Sequence, residues 1–186
     1  MFFRDYFSCV ADLTNSVESA DLVSLANLIY EVSEGCGKVI VVGNGGSAAM
    51  GSHIAVDLTK AAQVRAINFN EADLITCFAN DYGYENWIRE ALLAYGDTND
   101  LLIAISSSGS SLNILNGVDT AKSIGMHVAT FSGFSANNAL REKGNLNFWV
   151  DSHEYNIVEM THHIWLCSVV DYLASKCNRR IANEET

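Results

Sequence analysis

Two runs of branched apolar residues each lead straight into a loop of small residues, and this pairing limits the possible folds more than any other feature of the chain. Val39, Ile40, Val41 and Val42 lead into Gly43, Asn44, Gly45, Gly46 and Ser47. Leu101, Leu102, Ile103, Ala104 and Ile105 lead into Ser106, Ser107, Ser108, Gly109, Ser110 and Ser111. An apolar run without alternation fits a strand buried on both faces, as in a parallel sheet. Further strands are predicted over 66–69, 127–131 and 147–150, and helices over 47–60, 73–79, 85–95, 112–124 and 156–176. Strands alternating with helices predict an α/β fold, a doubly wound parallel sheet that binds ligands at the carboxyl ends of its strands.

Residues 1–35 carry Phe7, Val10, Leu13, Val17, Leu22, Leu25, Ala26 and Ile29 at helical spacing. They predict a pair of helices broken near 19–21, placed to cap the sheet or to meet another subunit. The 186 residues suit one domain, long enough to bury roughly 70% of the unfolded surface. A formal charge of −11, with eleven basic residues in no cluster, argues against direct binding of nucleic acid or of an anionic membrane. It leaves open a small anion held by local N–H groups. The N-terminus lacks a basic start and a long apolar run, and no stretch approaches the ~18 apolar residues of a membrane span. Cys9, Cys36, Cys77, Cys167 and Cys177 form no paired motif and read as reduced core residues of a cytoplasmic protein.

The first loop stands between a strand and a helix, where glycines let the backbone approach a ligand and the helix start offers free donors to phosphate. It matches neither a P-loop nor a dinucleotide fingerprint, and a plain strand–helix turn is its bland alternative. The second loop offers five serine hydroxyls, which donate to phosphate oxygens without adding charge. N-capping, its alternative, needs one serine. Together the loops predict a grip on a small phosphorylated metabolite.

These pieces, with His53, Ile54 and Ala55 and the run from Ala79 to Glu85, resemble the sugar isomerase (SIS) domain family, and within it the phosphoheptose isomerase branch. The resemblance runs almost the whole chain. It implies a flavodoxin-like three-layer sandwich, a homotetramer, and phosphate binding by Ser106, Ser108 and Ser111. It also places Asn44, Gly45, Ser47 and Asp81 near the sugar, with Gly46 in the same loop. Phosphoheptose isomerases convert sedoheptulose 7-phosphate to D-glycero-D-manno-heptose 7-phosphate, for heptose in bacterial lipopolysaccharide or capsule.

Aldose–ketose exchange needs a base to move a proton between C1 and C2, and an acid or metal for the oxygens. The family carries His-x-x-x-Glu after the first loop, and a Gln with a His eight residues later on the last helix. This chain has His53 and Asp57, which share a helix face at i and i+4. The resemblance puts Val158 and Leu166 at the last-helix positions, where neither ligates nor moves protons. His162, turned between those two, is expected to take over with Glu159. His53, Asp57 and His162 would then form a zinc site. His127, His153 and the Glu85–Arg89 pair are read mainly as structural or surface features. Two alternatives stand: isomerisation of a different sugar phosphate, and a silent SIS module resembling the branch that promotes replication initiation through a protein partner.

Overall fold

A computed structural model describes residues 1–184, with side chains described through Cys177. Its β-strands are β1 (Val39–Val42), β2 (Ala66–Asn68), β3 (Leu101–Ser106), β4 (His127–Ser132) and β5 (Leu146–Trp149). Its helices are α1 (Phe2–Thr14), α2 (Ser19–Glu34), α3 (Gly46–Lys60), α4 (Ala72–Tyr82), α5 (Trp87–Tyr95), α6 (Leu112–Ser123) and α7 (Tyr155–Glu184). The strands form one sheet of order β2-β1-β3-β4-β5, and every pairing is parallel. The predicted α/β class and three-layer arrangement are therefore present.

The pleat explains the layers. Successive strand residues point to opposite faces, so Val39, Val41, Leu101, Ile103, Ile105, Ala129 and Phe131 pack with Leu25, Ile54 and Trp165 of α2, α3 and α7. Ile40, Val42, Leu102, Ala104 and Val128 pack with Trp87, Ile88, Ile114 and Val118 of α5 and α6 on the other face. All six residues of β3, the middle strand, are buried. Hence its sequence shows no polar alternation.

In this strand order β1 and β3 are neighbours whose connections leave toward opposite sides, which opens a crevice at their carboxyl ends. The glycine loop follows β1 and the serine loop follows β3. The topology thus brings together two segments some sixty residues apart in sequence.

Three details depart from expectation. The helical pair breaks at 15–18, and α1 buries no residue. Phe7 is 65% exposed, while only Leu13, Val17 and later apolar positions reach the core. Helix α4 runs three residues beyond its predicted end, to Tyr82. Cys9, Cys36 and Cys77 are exposed and Cys167 and Cys177 half-buried, so none is the fully buried residue expected. No helix among the described residues is long and apolar enough to cross a membrane.

Candidate active site

The glycine loop turns on Gly45, whose φ of 55° and ψ of −121° are open to glycine and strained for other residues. This turn starts α3 without a side-chain cap, and the N–H groups of Ser47 and Ala48 donate to the Asn44 carbonyl at 3.0 and 3.4 Å. Ser47 is buried there. Gly46 is needed for a different reason. A Cβ on it would lie 2.1 Å from Oε2 of Glu159, so the α7 carboxylate occupies the volume a side chain at 46 would take. Burial pushes the Glu159 carboxyl above the usual carboxylate range.

Asn44 meets Asn113 of α6 in both directions: Asn44 Nδ2 donates to Asn113 Oδ1 at 3.0 Å, and Asn44 Oδ1 accepts from Asn113 Nδ2 at 2.8 Å. The Tyr84 hydroxyl also donates to Asn44 Oδ1 at 3.0 Å. Asp81, three residues before Tyr84, is exposed at the end of α4 and accepts a hydrogen bond from Asn80 at 2.8 Å.

The serine loop does more than cap a helix. Ser111 is the N-cap of α6 and makes no side-chain cap bond. Its hydroxyl instead accepts from Ser106 Oγ at 3.2 Å. Ser108 accepts from Ser110 at 3.0 Å. Ser107, which the sequence reading passed over, is buried with a hydroxyl that has no partner among the described residues. A buried hydroxyl without a partner is costly, and an anion seated in the loop would satisfy it. Its position between two expected anchors was the available signal.

The reacting end is arranged differently from expectation. Val158 and Leu166 are fully buried, and Val158 lies against Gly133. One position on, Glu159, His163 and Cys167 recur at i, i+4 and i+8 along one partly exposed face of α7. Glu159 and Cys167 thus have the eight-residue spacing looked for, in a register shifted by one. His162 does not join His53. It is completely buried, its Nε2 donates to the Ser132 carbonyl at 3.0 Å, and Nδ1 has no partner among the described residues. Its ring packs edge-on to Phe131 and beside Trp165. Burial pushes its pKa down to about 4, against a small upward pull from the Ser132 carbonyl.

His163 is the histidine that meets His53. Its Nε2 lies 2.8 Å from His53 Nδ1, with the rings perpendicular. On the other side, His53 Nε2 lies 3.0 Å from Asp57 Oδ2. The Asp57 carboxylate accepts from His53 Nε2, which leaves Nδ1 as the ring nitrogen facing His163. Burial, and then His53, lower the His163 pKa. Burial, with Asp57 and Asp171, raises that of the Cys167 thiol.

Ligand atoms of His53, His163 and Cys167 lie within 4.8 Å of one another. Two imidazoles and a thiol suit zinc, and three protein ligands leave a fourth position open. Asp57 is then the carboxylate that orients a ligating histidine instead of a ligand itself. His153 lies exposed in a loop, its ring over Phe134, and His127 is exposed at the start of β4.

Comparison with known proteins identifies the family. The SIS domain model matches residues 5–133. The phosphoheptose isomerase of Helicobacter pylori strain P12 is 36% identical over 138 residues, covering 70% of this chain and 72% of that one. That of Leptospira biflexa is 32% identical over 164 residues, covering 81% and 83%. The chain belongs to the SIS domain family. Within the family it groups with the phosphoheptose isomerases. A phosphoheptose isomerase structure from Neisseria gonorrhoeae superposes with a TM-score of 0.83 at 23% identity, over 92% of this chain and 95% of that one. One from Francisella tularensis gives 0.82 at 24%, over 94% and 95%. At such identities these two structures speak for the fold.

Proposed function

We propose that the protein is an aldose–ketose isomerase that converts sedoheptulose 7-phosphate to D-glycero-D-manno-heptose 7-phosphate, for bacterial surface heptose. One observation carries this beyond phosphate binding: the face of Glu159, His163 and Cys167 on α7 opposes His53 and Asp57 on α3. A module that only binds has no need of a desolvated carboxylate and two facing imidazoles beside its sugar loop. The case for a silent module rested on Val158 and Leu166, and both belong to the core.

In this reading the serine loop holds the phosphate through Ser106, Ser107, Ser108 and Ser111, while Asn44, Gly45, Ser47 and Asp81 bind the sugar. Glu159 is one turn of α7, about 6 Å, from His163. Its raised pKa suits a group that takes a proton from carbon and returns it to the neighbouring carbon. The His163–His53–Asp57 row carries protons to and from the sugar oxygens. Zinc, held by His53, His163 and Cys167, would occupy the lone pairs of that row and take over its task by Lewis-acid polarisation of those oxygens. Cobalt loading tests this set. Near-ultraviolet thiolate-to-cobalt absorption that disappears in Cys167→Ser supports it, and a spectrum unchanged by that substitution refutes it.

Assembly into a homotetramer is part of the proposal. Phe2, Phe3 and Phe7 of α1 and Met160 and Ile164 of α7 are exposed, and such a cluster of large apolar side chains is unusual on a monomer. Light scattering that returned only the monomer mass would contradict it. For the activity, the protein is incubated with sedoheptulose 7-phosphate, with and without zinc, and aldose formation followed by NMR. Sugar-phosphate binding without turnover would point instead to a regulatory module.

A further inference from the structure

The glycine loop and the helix that follows the serine loop share one polar joint, and its hydrogen bonds restrict what Asn44 can offer a ligand. Asn113 lies in the first turn of α6, only 3% exposed. Its amide and that of Asn44 bond reciprocally at 2.8 and 3.0 Å. A primary amide has two N–H donors and an oxygen with two lone pairs. Asn113 uses one Asn44 donor and one Asn44 lone pair. The Tyr84 hydroxyl, at 3.0 Å, uses the other lone pair. Among the described residues this leaves Asn44 a single N–H without a partner.

Turning the Asn44 amide over by itself would set nitrogen against nitrogen and oxygen against oxygen in the pair. Turning both amides together would restore the pair, with the Tyr84 hydroxyl accepting instead of donating, since a phenol does either. Asn113 therefore excludes the first alternative, and in both that remain the Asn44 side chain is held in the same place with one hydrogen-bonding site left for a ligand. Tyr84 lies between α4 and α5 and Asn113 on α6, so elements outside both loops set the placement of Asn44.

We infer that Asn113 and Tyr84 are positioning residues that hold Asn44 in place and leave it one hydrogen-bonding site, presented to an oxygen of the bound sugar phosphate. This rests on the reading above, in which the sugar lies against the glycine loop and its phosphate in the serine loop. The pair serves contact with a sugar oxygen and contributes nothing to phosphate recognition. A merely structural joint would affect both ligands alike.

The test titrates inorganic phosphate and sedoheptulose 7-phosphate by calorimetry into wild type, Asn113→Leu and Tyr84→Phe. Asn113→Leu keeps the volume and removes both amide bonds. It should weaken sugar-phosphate binding about tenfold, and Tyr84→Phe about threefold, as expected for two hydrogen bonds and for one. Inorganic phosphate affinity should stay within about twofold in both, since the serine loop is a separate set of contacts. Equal loss for the two ligands, or no loss for the sugar phosphate in either variant, overturns the inference. If Asn113→Leu fails to fold, Tyr84→Phe decides alone, because Tyr84 is more than half exposed and its loss leaves the core intact. Wild type that binds phosphate and no sugar phosphate defeats the isomerase reading and this inference together. Wild type that binds the sugar phosphate while both variants match it defeats this inference alone.

Discussion

The serine loop and the α3–α7 face are made of different material. The loop is backbone and neutral hydroxyl, set by the end of a fully buried strand, and in the proposed reading it holds an anion without a countercharge. The α3–α7 face is titratable throughout: a carboxylate, two imidazoles, a thiol and a second carboxylate, on two helices whose relative position depends on side-chain packing. A strand end tolerates little variation in where its loop begins. A helix face turns by about 100° for each residue of register. Binding is thus fixed by topology, and chemistry by rotation of α7.

The largest expected effect separates these regions. His53→Ala should lower turnover about a thousandfold, within the range for a lost acid–base group, while inorganic phosphate affinity by calorimetry stays unchanged. A parallel fall in phosphate affinity would show that the regions are one.

The adjacent histidines of α7 repeat the contrast at the scale of one residue. His162 is held neutral in the core with a pKa of about 4, below its unfolded value near 6.5. Between those values the unfolded chain binds a proton that the folded chain refuses, so stability falls as pH drops from about 6.5 toward 4. The loss is about 1.4 kcal/mol per pH unit, or about 3 kcal/mol in all. Urea unfolding of wild type and His162→Phe across this range should show the slope in the first and its reduction in the second. Equal slopes would remove His162 as the cause.

Next in size is the double substitution Ser106→Ala with Ser111→Ala. It should weaken sugar-phosphate binding about a hundredfold, the sum of two hydrogen bonds to a charged group, and leave zinc content by mass spectrometry as in wild type. Smallest is Asp57→Asn, which keeps the size and removes the charge that orients His53. Zinc affinity in a competition assay should fall about tenfold, the low end for a lost orienting carboxylate. A full loss of zinc would make Asp57 a direct ligand.

Both loops were legible because their signal is local: an apolar run, then glycine or serine. The sheet followed from counting such runs, and His53 with Asp57 from the resemblance to the family's His-x-x-x-Glu pair. The α7 face was not legible in the same way. Its register was taken from the family's positions, and a shift of one residue exchanges Val158 and Leu166 for Glu159 and Cys167. The chain did hold a corrective. Val158, Trp165, Leu166, Val169 and Leu173 form an apolar stripe, and His162 lies on it while His163 lies beside it. The polarity of histidine hid that pattern. Asn113 and Tyr84 left no trace, since their partner Asn44 is 69 and 40 positions away.

The missing side chain at position 46 has a meaning for descent as well as for geometry. Glu159 rests where that side chain would be, and the atom in the way is the far end of a flexible arm. Alanine at 46 would therefore swing the carboxylate out of place while the fold stands, a variant that keeps its acid and misplaces it. Once Glu159 had settled there, each residue became a condition on the other. A lineage could exchange glycine at 46 freely only after shortening or discarding the carboxylate 113 positions downstream, so the two sites are expected to change in that order or not at all.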